Sequence, residues 1–283
     1  MPFRIPARTL WQASKGSMKP YSFAPINSKT PQWTRRYAAS STEPPTRTAI
    51  VTGSARGIGK AIALRLAQDG YDICVNDISA NKTQAESVVR EIQQLGRKAI
   101  PYTADVSQLS EVQSMVSVKA LLDLTEHDLK RMFEVNVYGV YNCYSTAAKQ
   151  MIAQGTPGKI LGAASIVAFK PFALLSHYSA SKWAVRGLTQ AFAMEVAEHK
   201  ITVNAYAPGI VGTAMWDLID EELGKKQGAK KGDTIKKYSE ELIALGRTSV
   251  PEDVSNTVSF LCSKDSDYMT GQTIVIDGGI IFT

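Results

Sequence analysis

The 283 residues include few groups suited to holding a metal, with three cysteines and three histidines in all. His127, His177 and His199 share no ligand spacing with cysteines or carboxylates, so no metal centre is legible. Cys74, Cys143 and Cys262 are scattered without a paired framework and read as free thiols of a reducing compartment. No run of about 18 uninterrupted apolar residues occurs, which excludes a membrane span. Positive charge is also scarce beyond the N-terminus. The net charge is +6, but residues 1–42 hold seven bases and no acid, leaving 25 bases against 26 acids in residues 43–283. A folded surface so balanced lacks the clustered charge that nucleic acid requires.

What is present begins with 44% hydrophobic residues, enough for a sizeable core and too many for a disordered chain. Residues 1–46 are a leader, rich in Arg, Lys, Ser, Thr and Pro and without apolar periodicity. They read as an organelle transit peptide, with a mitochondrial type of processing site at Arg35-Arg36-Tyr37-Ala38. From residue 47 to 283 a single domain is expected, with no internal repeat. Apolar strands are expected at Thr48–Thr52, Asp72–Asn76, Lys98–Thr103, Lys159–Ala163, Ile201–Tyr206 and Thr273–Ile276. Helices are expected at Gly59–Asp69, Thr83–Leu95, Leu109–Val116, Glu126–Gln154, Tyr178–Glu198 and Pro251–Cys262. This alternation implies an α/β fold: a Rossmann-type, doubly wound parallel sheet with helices on both faces.

The stretch Thr52-Gly53-Ser54-Ala55-Arg56-Gly57-Ile58-Gly59 lies where the first strand becomes a helix. Glycines there let backbone N–H groups approach a pyrophosphate, and the helix N-terminus adds partial positive charge. Asp77 follows Gly59 by 18 residues and ends the second strand. A carboxylate there accepts the ribose hydroxyls and repels a 2′-phosphate, which argues for NAD. Arg56, inside the loop, argues for NADP.

Tyr178 and Lys182 stand one helical turn apart, where the lysine is expected to stabilise phenolate and lower the tyrosine pKa. Ser165 follows the strand ending at Ala163, and a hydroxyl there points into a cofactor crevice. With the glycine-rich turn, Asn136 in Phe133-Glu134-Val135-Asn136-Val137, the run Tyr178-Ser179-Ala180-Ser181-Lys182, and Pro208-Gly209, the chain resembles the short-chain dehydrogenase/reductase family over residues 47–283.

That resemblance implies NAD(P) hydride chemistry on a small carbonyl or secondary alcohol. Tyr178 would be the proton donor or acceptor, Lys182 would hold the nicotinamide ribose, Ser165 would bind the carbonyl, and Asn136 would anchor a water. Ile58 would meet the pyrophosphate, Asp105 and Val106 the adenine, and Val211 and Thr213 the carboxamide. Residues 208–222 are similar to the acetoin/diacetyl reductase and 2,3-butanediol dehydrogenase branch, with Met215 and Trp216 over the substrate and His177 either lining that pocket or packing. A 3-oxoacyl-thioester reductase is the alternative within the enzyme class. The resemblance also implies a homotetramer, built on a face that would include Val137, Val140 and Tyr141.

One part of the pattern is missing. Residues 104–158 read as helix and loop, although a fourth strand ending in Asn-x-Ala-Gly is implied there, beside the first strand in mid-sheet. A βαβ unit takes about 30 residues, and residues 105–122 hold only half of one. Val116-Ser117-Val118 is the sole strand candidate in the gap. The chain is then either a naturally shortened paralogue, catalytically impaired but nucleotide-binding, or a truncated gene model of an active enzyme.

Overall fold

The structure is a computed structural model that describes residues 47–106, 118–228 and 232–283. The leader, the Leu109–Val116 helix and most of the Val116–Val118 candidate lie outside the described residues; Val118 itself is in no strand.

The first half alternates β1 (Arg47–Thr52), α1 (Gly57–Gln68), β2 (Tyr71–Asp77), α2 (Lys82–Gln94) and β3 (Ala99–Thr103). Helix α1 buries Ile62, Ala63, Leu66 and Ala67, and α2 buries Ala85, Val88, Val89 and Ile92. Both sets follow the three-to-four-residue helical period. The second half runs α3 (Glu126–Phe133), a π-helical turn (Glu134–Tyr138), α4 (Gly139–Gln154), β4 (Gly158–Ala163), α5 (Ser176–Glu195) and β5 (Ile201–Pro208). Then come α6 (Ala214–Gln227), α7 (Asp233–Leu242), α8 (Pro251–Cys262) and β6 (Thr273–Ile276). The one helix expected over Glu126–Gln154 is thus broken by the π turn that carries Asn136. The pair α6–α7 was not foreseen as helices. It is held by Asp220, whose carboxylate accepts the Gly232 amide and, at 2.8 Å, the Ile235 amide at the start of α7.

All six strands are parallel, but they form two sheets of three, ordered β1-β2-β3 and β4-β5-β6. The expected α/β architecture of parallel strands and helices is present, and among the described residues its strands form two sheets in place of one. Among the described residues no strand lies between β3 and β4, so β1 and β4 are both edges. The second sheet is covered on both faces: Ile160, Ile201 and Val203 meet Tyr144 and Ala148 of α4 and Ala193 of α5, while α8 lies behind.

Among the described residues the first sheet is covered on one face. Val51, Ile73, Val75 and Ala99 pack on α1 and α2. The other face carries the register row Ile50–Cys74–Ile100, with Ile50 71% and Ile100 61% exposed. Among the described residues, helices lie on both faces of the second sheet and on one face of the first.

The halves meet at α8. Val254 and Val258 share a cluster with Val51, Ile62 and Leu66, and Leu161, Tyr206 and Ile276 of the second sheet pack against it. Polar links reinforce this seam. Ser259 Oγ donates to Asp69 at 2.5 Å, Tyr71 Oη to the Cys262 carbonyl at 2.8 Å, and Arg65 to Asn256.

Candidate active site

Strand β1 runs into Gly53 and then Gly57, both at positive φ (62° and 55°), which lets the chain double back into α1. A Cβ at Gly59 would strike the Gly53 carbonyl, so loop and helix can approach only with glycine there. The first-turn amides of Gly57, Ile58 and Gly59 have no intrahelical acceptor, as at any helix start, and form a cradle for an anion. Arg56 is exposed at the N-cap.

Asp77 is buried at the end of β2. Its Oδ2 accepts the Ala55 amide at 2.9 Å, and its Oδ1 accepts the Ile78 amide at 2.9 Å and Asn81 Nδ2 at 2.8 Å. It therefore braces the glycine-rich loop. Asn81 and the Ala55 amide were not singled out from sequence, because nothing in the spacing marks them.

Beyond β3, Val106 lies against α4, accepting Asn142 Nδ2 on its carbonyl at 3.1 Å and packing beside Gly139. Asp105, partly buried, precedes it. Pro208 and Gly209 end β5; a side chain at Gly209 would meet Asp277. Val211 is buried in the core shared by both halves, and the Thr213 methyl lies beside Gly57. This brings the Pro208–Thr213 turn next to the glycine-rich loop.

Ser165 follows β4 and is buried at the start of a short 3₁₀ turn, Ile166–Ala168. Its hydroxyl lies beside Tyr178, one helical turn from Lys182 on α5. Lys182 is buried, donates its Nζ to the Ala163 carbonyl at 2.9 Å, and stands 5.5 Å from the Tyr178 ring centroid. Burial pushes the Tyr178 phenol up to about 12, with the Ser165 hydroxyl pulling the other way. Burial also brings Lys182 down to about 8. The expected lowering of the tyrosine by its lysine is thus reversed, because the ammonium is turned to a carbonyl and desolvation outweighs it.

Asn136 sits at the middle of the π turn, and its Nδ2 donates to Ser181 Oγ at 3.1 Å and to Met132 Sδ at 3.0 Å. Ser181, fully buried, donates in turn to the Tyr178 carbonyl at 2.7 Å. Ser181 is thus the link between Asn136 and the Tyr178 helix, a role the motif alone did not disclose.

Met215 and Trp216 open α6 and pack with Leu174, Leu175, Ile219 and Leu223. Leu174 adopts a positive φ of 66°, a strained conformation for leucine that this packing holds. His177 is buried in α5. Among the described residues no group of three or more His, Cys, Asp or Glu could hold a metal, and no helix is long and apolar enough to cross a membrane.

The family model described as short chain dehydrogenase matches residues 47–121, and that described as Enoyl-(Acyl carrier protein) reductase matches residues 115–281. The chain is 44% identical over 256 residues to L-2,3-butanediol dehydrogenase of Corynebacterium glutamicum, covering 83% of this chain and 99% of that protein.

The chain is a short-chain dehydrogenase/reductase.

This short-chain dehydrogenase is also 41% identical over 257 residues to a diacetyl reductase [(S)-acetoin forming] of Staphylococcus epidermidis, covering 83% of this chain and 99% of the relative. The acetoin dehydrogenase of Enterobacter cloacae superposes with a TM-score of 0.72 at 31% identity, over 84% of this chain and 96% of that one. Carveol dehydrogenase of Mycobacterium avium, solved in complex with NAD, gives 0.77 at 25% identity, over 83% and 97%. The alignment with the Corynebacterium protein spans 256 positions but takes up 83% of 283 residues, about 235. The relative therefore has about 21 positions without a counterpart in this dehydrogenase.

Proposed function

We propose that the chain is an NAD-dependent oxidoreductase interconverting a small vicinal ketone and its secondary alcohol, with diacetyl, acetoin and 2,3-butanediol as the substrate class. The observation that carries this reading is the convergence of Ser165, Tyr178 and Lys182 at the end of β4, on a chain similar to dehydrogenases and reductases of those compounds.

The residues fit the cofactor. The cradle at Gly57–Gly59 would fill with a side chain at Gly59, and Asp77 keeps acceptor capacity for a ribose diol. NADH, when bound, supplies the hydride that reduces the carbonyl carbon. The rest of the work falls to the chain. Ser165 Oγ and Tyr178 Oη bind the carbonyl oxygen. Tyr178, held neutral by burial, gives its proton to the oxygen as it becomes an alkoxide. The Lys182 ammonium, protonated below about pH 8, then steadies the phenolate. Ser181 and Asn136 fix α5 against the π turn. Met215, Trp216 and Leu174 give an apolar surface suited to methyl groups.

Tyr178→Phe tests this reading. Turnover of diacetyl should fall by more than about 100-fold while NADH binding persists, and unchanged turnover would refute it. Preference for NADPH with acetoacetyl thioesters over diacetyl would favour the 3-oxoacyl-thioester reductase. The split sheet favours a second reading, nucleotide binding without turnover, which tight NADH binding with no reduction of any carbonyl would support.

The shortened sheet is itself part of the proposal. A tryptic peptide Ala99–Lys119 from native cells would establish the short form, and a longer set carrying an Asn-x-Ala-Gly strand end would replace it.

Homotetramer assembly draws support from the exposed Tyr138, Tyr141, Trp183 and Met194 of the π turn, α4 and α5, although Val140 packs inward. Light scattering of the purified chain reports the assembly directly. Mitochondrial targeting rests on the leader composition, and mature protein beginning at Ala38 would establish it.

A further inference from the structure

We infer that Asn81 is a positioning residue that sets the dinucleotide preference of this site by holding the Asp77 carboxylate; the inference rests on the cofactor reading above. The donors to Asp77 are unevenly divided. Oδ1 accepts two, the Ile78 amide at 2.9 Å and Asn81 Nδ2 at 2.8 Å, and Oδ2 accepts one, the Ala55 amide at 2.9 Å. A carboxylate offers about four lone-pair sites, so the place left for a ligand is on Oδ2, the oxygen that also braces the glycine-rich loop.

Asn81 is well placed to enforce this. It is the last residue of a 3₁₀ turn, Ser79–Asn81, and its own amide donates to the Ile78 carbonyl at 2.9 Å. The side chain therefore reaches Asp77 from a backbone that is already fixed. The Ile78 amide is the chain neighbour of Asp77 and tolerates rotation of the carboxylate. With Asn81 present, both oxygens are pinned and the open site keeps one direction.

Removing that donor unlocks the rotation and loosens the Ala55 brace. A ribose diol loses an oriented acceptor, so NADH binds more weakly. A 2′-phosphate responds to the charge of Asp77, which is unchanged, so NADPH affinity stays where it was. Damage to the fold alone would weaken both nucleotides in step.

The test is titration of the full chain with NADH and with NADPH, followed by nucleotide fluorescence, for the wild type and for Asn81→Leu, which keeps the side-chain shape without the donor. Asn81→Ala, at a partly buried turn, repeats the measurement if the leucine variant is poorly soluble. The NADH dissociation constant should rise about fivefold, with NADPH shifting less than about twofold. Equal shifts for both nucleotides, or none, would overturn the role of Asn81 while leaving the cofactor reading intact. A wild-type chain that binds neither nucleotide, or prefers NADPH, would overturn the cofactor reading and the inference with it.

Discussion

Lys182→Met probes the buried ammonium directly, because the substitution keeps the length of the side chain and removes only the titrating group. Lys182 titrates near 8 in the fold against about 10.5 when solvated. Between those values the unfolded chain binds more protons than the folded one, so stability rises with pH across that window. Below pH 8 the folded state carries the whole cost of the buried charge, about 3 kcal/mol at about 1.4 kcal/mol per pH unit. From pH 7 to pH 9.5 the wild type should recover about 2 kcal/mol of that relative to Lys182→Met.

Urea denaturation of both proteins at pH 7, 8, 9 and 9.5 gives the difference curve, in which titrating groups remote from Lys182 cancel. Staying below pH 10 avoids the opposite trend from Tyr178, whose raised pKa removes stability as pH climbs from 10 toward 12. A flat difference curve would refute the argument that burial governs this lysine. The offset at pH 7 is a separate quantity, since methionine also leaves the Ala163 carbonyl without its donor.

Two further substitutions probe the scaffold. Gly59→Ala puts a methyl into the Gly53 carbonyl and should cost about 2 kcal/mol or more in denaturation while abolishing NADH binding; full binding would mean the turn relaxes freely. Ser181→Ala cuts the Asn136–Tyr178 link and should lower kcat several-fold with little change in KM, an outcome that Ser181→Thr should partly reverse; an unchanged kcat would make the link ornamental.

That Ser165, Tyr178 and Lys182 lie together was legible because they are close in sequence or at a strand end, where spacing and position carry the geometry. The glycine-rich turn between β1 and α1, and the place of Asp77 at the end of β2, were legible for the same reason. Ser181 and Asn81 were not, since each matters through a partner that only folding supplies, 45 residues away in one case. The π turn escaped because one extra residue per turn leaves the apolar pattern of Glu126–Gln154 almost unaltered. The sign of the Tyr178 shift was misread because neighbour charge can be inferred from spacing, whereas desolvation depends on what packs around the pair. The shortage of residues between β3 and β4 was legible, but the arrangement of the described strands in two sheets joined through α8 was not, since it depends on packing between the halves.

That arrangement leaves one compact body with two separate sheets. Every pairing in each sheet is between strands consecutive in sequence, across short crossovers in the first sheet and longer ones in the second. Among the described residues the α8 seam, the Pro208–Thr213 turn and the contact of Val106 with α4 tie the two halves together. The proposed cofactor would lie across both sheets, with its adenosine end on Asp77 and its nicotinamide end near Lys182. Such a ligand is a staple in the linkage sense: at 100 times its dissociation constant it stabilises the folded chain by about 2.7 kcal/mol, and amide hydrogen exchange along α1 and α8 would slow accordingly.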